Sequence, residues 1–199
     1  DSMAEELQMV EQQPLVVPID QHFNVKGIGL VAIGYVQSGS VSVHDEITML
    51  PSGGTGSVKS LQVMDDDVPK AGAGDRVGIA LRNAKEESLS GTCLIVLPEL
   101  DDKRKDIHRP LALESHSLSQ MSLNVSPFQK RKLTVGDVLH ASIDLQFVVG
   151  RVESIDGSVG TVRWETPLLQ RIENPPSVLI AQLDSKPRIM GDANLKKQE

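Results

Sequence analysis

Apolar and polar positions alternate along most of this chain in short runs, and helical spacing is scarce. Residues 30–36 are apolar and largely β-branched, and they follow the turn Lys26-Gly27-Ile28-Gly29, whose glycines suit positive φ. Gly34 inside that run predicts a bulge or a close backbone approach. A preceding strand covers 15–19, with Pro18 marking it as a sheet edge. Further strands are expected at 41–50, 57–64, 76–81 and 92–97, separated by turns such as Ala71-Gly72-Ala73-Gly74-Asp75. Short, evenly spaced strands joined by glycine-rich turns predict a closed antiparallel barrel over residues 14–98.

The charged, aperiodic run from Glu99 to Asp106 reads as a linker over 99–108. Strands at 111–125, 138–155, 159–164 and 177–183 then build a second all-β unit over 109–193, with Leu139, Ala141, Ile143, Leu145 and Phe147 alternating along one of them. The expected fold class is all-β, two consecutive antiparallel β-barrels. Residues 1–13 are helix-prone up to Pro14, and the tail 194–199 is expected to fray.

Charge and composition narrow the function. A net charge of -7 excludes binding nucleic acid through a broad basic face, so any RNA contact must be local. Five aromatic residues exclude a binder built on rows of stacking rings. The single cysteine, Cys93, lies in an apolar strand and reads as a small core residue of a protein in a reducing cytoplasm. No stretch has membrane-spanning length and no basic-apolar leader opens the chain, so a soluble protein with neither membrane nor DNA as partner is expected.

Catalytic and metal-binding patterns are missing. The five histidines are scattered, without an i, i+4 pair, so no metal is expected. Asp65-Asp66-Asp67 lacks the glycine and terminal glutamate of a calcium loop. Neither Gly-x-Ser-x-Gly nor a phosphate loop occurs, which predicts a non-enzymatic chain. Two basic features remain. Lys130, Arg131 and Lys132 offer three cations to an RNA backbone, or form an ordinary solvated turn. Arg76, in Gly74-Asp75-Arg76, has a fork that can reach an anion at the barrel rim, or simply pairs with Asp75 or another carboxylate.

Several of these segments together resemble domain II of translational GTPases related to elongation factor Tu. They are 15–20, Phe23 to Gly29, Gly39 to Glu46, Ser60-Leu61-Gln62-Val63, Ala71 to Gly78, and Gly91-Thr92. Val43-His44-Asp45-Glu46 and Gly74-Asp75-Arg76 are most similar to the archaeal form of the selenocysteine-specific factor SelB. Ser126-Pro127-Phe128, Val135-Gly136-Asp137, Leu145-Gln146-Phe147 and Pro187 to Gly191 resemble its domain III.

The resemblance implies a barrel that grips the 3′ end of aminoacyl-tRNA against a GTPase domain and touches the ribosome. It places Gln62, Val63 and Met64 at the terminal adenosine, with Gly27 and Gly29 on the same rim. It assigns an aminoacyl pocket to Asp20, the residue after it, and Arg76. Gln21 stands where that pocket has a basic residue, and a neutral amide there weakens the hold on an anionic selenolate. Leu30 and Ser90 are smaller departures, where the family commonly has Thr and Arg. GTP and magnesium belong to the GTPase domain, whose motifs do not occur in these 199 residues, so no cofactor is expected in this chain. The implied partners are aminoacyl-tRNA, the ribosome and the GTPase domain of the parent protein. The alternative is a divergent paralogue whose barrels serve as a scaffold for a protein partner or for self-association, without tRNA binding.

Overall fold

The computed structural model describes residues 9–102 and 107–198, with only the backbone for 101, 102, 107 and 108. They form two compact units that divide between Ala112 and Leu113. The expected opening helix is present as one turn at 9–11; its first eight residues, and 103–106 of the expected linker, lie outside the described residues.

The first unit contains β1 (Val16–Val25), β2 (Gly29–Tyr35), β3 (Ser40–Ser42), β4 (Glu46–Leu50) and β5 (Gly54–Val63). These are followed by β6 (Asp66–Val68), β7 (Lys70–Gly72), β8 (Arg76–Arg82) and β9 (Cys93–Val96). A ring runs β4-β9-β1-β2-β8-β5 and closes where β5 returns to β4; β6 extends β5 outside the ring, and β3 pairs with β7. Alternation fills the interior: Val17, Ala32, Met49, Leu61, Ile79 and Ile95 are buried, while their strand neighbours face outward or line other parts of the core.

Of the two alternatives expected at Gly34, the close backbone approach is the one found there. A Cβ there would stand 2.1 Å from the carbonyl oxygen of Pro18. Beside it β1 bulges, because Ile19 faces Gly34 and Gln21 faces Ile33, which leaves Asp20 as the extra residue. Two expectations need correction. The strand does not stop at residue 19 but continues through His22 and Phe23 to Val25. Nor is it an edge, since β1 lies between β2 and β9; Pro18 pairs with Leu94 and precedes the first β2 partner, Ile19. The expected strand 41–50 is also broken, by His44 at φ 76, where Asp45 Oδ2 accepts the Ser42 N–H at 2.8 Å.

Burial pushes the Cys93 thiol up to about 12. The native chain is therefore expected to leave Ellman's reagent unreacted at mildly alkaline pH and to release one equivalent of thiolate product when denatured. Prompt reaction of the folded protein would contradict this.

Within the expected linker, β10 (Leu100–Asp102) and β11 (Ile107–Arg109) pair with each other. The second unit comprises β12 (Leu113–Val125), β13 (Val138–Ile143), β14 (Gln146–Asp156), β15 (Val159–Arg171), β16 (Val178–Ala181) and β17 (Ile189–Lys197). These close a barrel in the order β12-β15-β14-β13-β16-β17. Its core includes Met121, Leu139, Val162, Leu168 and Ile180.

Here too the structure corrects the sequence-based expectation. Residues 138–155 are two strands, because Asp144 and Leu145 take φ 44 and 59 and turn the chain back. Inward alternation therefore ends at Ile143. Leu145 is exposed at the turn, and Phe147 is exposed on the outer face, stacked on His140 at 5.0 Å. The tail is no frayed end as far as Lys197: Leu195 is buried opposite Met121, and Lys197 pairs with Ser119.

Candidate functional site

In an antiparallel sheet, directly paired residues project from the same face. Tyr35 pairs with Arg76, Ile33 with Gly78, and Gly78 with Gln62, so β2, β8 and β5 present these positions together on the outside of the first barrel. Gly78 has no side chain to fill the middle. The result is a cleft of about 220 Å³ between Ile33, Gln62, Met64, Asp65 and Arg76, with Gly78 and Val77 at its base.

Arg76 is held from two sides. Its Nη2 lies 3.3 Å from Asp20 Oδ2, while Nη1 donates to the Tyr35 hydroxyl and the guanidinium carbon lies 5.0 Å from the centre of that ring. The bulge in β1 is what offers Asp20 as the partner. Asp75, the plainer alternative, is occupied elsewhere, accepting the Gly72 N–H at 2.8 Å. Because the Arg76 side chain is about half exposed, the Asp20 pair contributes little to stability; its effect is to orient the fork. Gln21 is exposed and pairs with Ile33, which puts it on the face that carries the cleft.

The β5–β6 turn supplies the other wall. Gln62 Nε2 donates to Asp67 Oδ1 at 3.0 Å, which pins the amide. Met64 and Asp65 form a two-residue turn with φ 51 and 68, and Met64 is 90% exposed at its tip. Non-glycine residues in the left-handed region cost energy, so this turn displays a methionine to solvent at some expense. Val63 does not join its neighbours, because successive strand residues face opposite ways and its side chain packs against the core.

Gly27 and Gly29 do take positive φ, 84 and 106, in the β1–β2 turn. The structure nevertheless places them at the other end of the barrel from Arg76. Gly29 opens β2 and Tyr35, the partner of Arg76, ends it; six residue steps span about 20 Å. The turn instead meets β5 through Lys59 Nζ, which donates to the Ile28 carbonyl at 2.7 Å.

The three cations of the second barrel also separate. Arg131 donates to Asp137 Oδ1 at 2.8 Å and to Asp184 Oδ2 at 3.2 Å. Burial pushes the Asp137 carboxyl up, but the Thr134 donors and Arg131 outweigh it and hold the group below the usual carboxylate range. Arg131 thus fastens its loop to the barrel, and Lys130 and Lys132 are left exposed.

Tyr35, Ile33 and Gly78 escaped the sequence reading as site residues. A usable signal was present: Ile33 and Tyr35 are alternate positions of one strand, and a glycine sits two residues after Arg76 on another.

The family model for elongation factor Tu domain 2 matches residues 29–96, which span β2 to β9. An uncharacterized protein of Methanocaldococcus jannaschii is 31% identical over 140 residues, 70% of this chain and 41% of the relative. The selenocysteine-specific elongation factor of the same organism is 37% identical over 122 residues, 61% of this chain and 25% of that factor. The chain therefore spans less than half the length of either relative. The apo crystal structure of elongation factor SelB from Methanococcus maripaludis superposes with a TM-score of 0.76 at 23% identity, covering 94% of this chain and 42% of that one. The fold agrees across both barrels. The first barrel belongs to the elongation factor Tu domain 2 family, and across both barrels the chain shares the fold of SelB.

Proposed function

We propose that the outer cleft of the first barrel holds the 3′ end of an aminoacyl-tRNA, as a non-catalytic module of a cytoplasmic translation factor that also meets the ribosome. The observation that supports this is the convergence of Gln62, Met64 and Arg76 on one cleft, since the resemblance assigned them separately to the terminal adenosine and the aminoacyl group. Ile33 and Met64 offer apolar surface to a base, and Gln62 offers an amide to its edge. Arg76, already oriented, meets the carbonyl or an anionic group of the amino acid. Gln21 beside the cleft adds no charge, which favours a neutral aminoacyl group over a selenolate. GTP and magnesium are assigned to a GTPase domain, because these 199 residues hold no phosphate loop. Among the described residues, no three His, Cys, Asp or Glu side chains gather to hold a metal.

Gel-shift titration of charged and uncharged tRNA with the full-length protein and GTP tests this. Gly78→Leu is expected to lower affinity for charged tRNA about tenfold or more by filling the cleft. The barrel should tolerate it, since a Cβ at 78 meets nothing nearer than Gln62 Cβ at 3.9 Å. Unchanged binding by this variant, or no saturable and salt-sensitive complex with the unaltered protein, would defeat the proposal. Gln21→Arg is expected to raise affinity for an anionic aminoacyl group more than for a neutral one; equal changes would remove the role given to that position.

The scaffold alternative draws on a different surface. Phe147 and Leu179, both exposed, flank Ser142 on the outside of the second barrel. Alanine at both positions leaves tRNA binding unchanged under the first proposal and weakens a protein complex under the second.

A further inference from the structure

A larger cavity lies wholly within the second barrel, and tRNA-end binding makes no use of it. Its volume is about 480 Å³, inside the ~300–1,000 Å³ range of small-molecule sites. Met121 and Met190, both fully buried, form its base, and Leu123, Leu133 and Ile155 line its sides. Gly160 leaves one wall of this space without a side chain. A Cβ there would lie 3.6 Å from both Leu133 Cδ2 and Met121 Cε, so any longer side chain would extend into the cavity.

The mouth has the opposite chemistry, with Lys130, Arg131 and Lys132 at its edge. Arg131 is committed to Asp137 and Asp184. Gln129 is committed as well: its Nε2 donates to the Pro187 carbonyl at 2.9 Å, and its Oε1 accepts the Arg131 N–H at 2.9 Å. These bonds fix the loop while Lys130 and Lys132 stay exposed, without an ion pair among the described residues. Two uncompensated cations are thus held over an apolar hole in a chain whose net charge is -7.

That combination selects an amphipathic anion. The head group gains two charge-assisted contacts, and the tail removes apolar wall from water. A nucleic-acid backbone would engage the lysines and leave the cavity unfilled. Two methionines at the base suit a flexible unbranched chain, because their own side chains adapt to its shape. We infer that this cavity binds an aliphatic carboxylate of medium chain length, its chain against Met121 and Met190 and its carboxylate between Lys130 and Lys132.

The test is an NMR titration of the whole chain labelled at its methionine methyl groups, with octanoate below its micelle concentration. Saturable shifts of Met121 and Met190 are expected, and none of Met64 on the other barrel. Acetate has the head without the tail, and octyltrimethylammonium has the tail with the wrong charge; neither should reproduce the shifts. Gly160→Leu should abolish them. Lys130→Glu with Lys132→Glu should weaken octanoate about tenfold or more while leaving the spectrum of the free protein unchanged elsewhere. If Gly160→Leu fails to fold, the charge reversal alone decides. Octanoate leaving the buried methionines unmoved would overturn the inference, as would equal shifts from octyltrimethylammonium or unchanged affinity after charge reversal. A short single-stranded RNA that perturbs the loop while octanoate does nothing would return the mouth to nucleic acid.

Discussion

Gly34→Ala is expected to destabilise the first barrel by ~3 kcal/mol or more, the range of severe overpacking and backbone strain. The added Cβ would lie 2.1 Å from the Pro18 carbonyl oxygen and 3.0 Å from Ile19 Cδ1. A flexible side chain could yield, but this obstacle is backbone. Pro18 is paired with Leu94 on one neighbouring strand, and Ile19 with Gly34 itself on the other, so relief requires β1 to shift within the closed ring. The same shift would disturb the bulge that presents Asp20 to Arg76, so under the proposed function tRNA affinity should fall along with stability. Hydrogen exchange separates the two barrels: amides of β1, β2 and β9 should lose protection while those of β12 to β17 keep theirs. Unfolding free energy within about 1 kcal/mol of the unaltered protein would refute the expectation.

Arg171→Met should weaken the second barrel by about 3–5 kcal/mol at neutral pH, the usual cost of leaving one partner of a buried pair alone. Arg171 Nε lies 3.3 Å from Asp144 Oδ2, and the side chains are 14% and 5% exposed. Burial raises the Asp144 carboxyl above its ordinary value even with the guanidinium beside it. Without Arg171 it rises further, so the folded variant holds a proton that the unfolded chain has released. Stability is then fully present below the unfolded carboxyl value and is lost as pH rises through the folded one. Thermal melts should therefore show the deficit shrinking in acid and widening toward neutrality. Adding Asp144→Asn should recover part of the loss, because asparagine is neutral and tolerates the left-handed conformation at φ 44. A deficit that does not vary with pH would show that lost packing, not an unpaired charge, is responsible.

Much of the architecture was legible because barrels follow from local rules. Two-residue periodicity places the core, and glycine marks turns and close approaches, as Gly27, Gly29 and Gly34 all did. Less legible were features that contradict the commonest chemistry of their kind. Asp144-Leu145 turns the chain back without the glycine or asparagine such turns prefer, and apolar alternation runs straight through it into Phe147. The final strand is polar at Asn194, Lys196 and Lys197, with Ala193 and Leu195 as its inward positions, so it resembles a loose tail. At the cleft, residue types were identifiable but their faces were not. Bulge position and register decide that Gln62 looks out while Val63 looks in, and that the Gly27–Gly29 turn projects at the other end of the barrel.

The aspartates at 65–67 acquire a different meaning from their place in the sheet. Ring closure pairs both sides of the first barrel's six central strands, whereas β6 hangs from β5 with its other side unoccupied among the described residues. A strand with one open side invites the addition of foreign strands and, from there, aggregation. This one is three residues long, and Asp66 and Asp67 are both exposed on it. Like charges on successive copies would meet at the 4.7–4.9 Å spacing of paired strands, where repulsion opposes growth. Replacing the acidic run with threonine and valine is therefore expected to promote self-association, read as a rise in light scattering with protein concentration; unchanged scattering would show that the charges have no such effect.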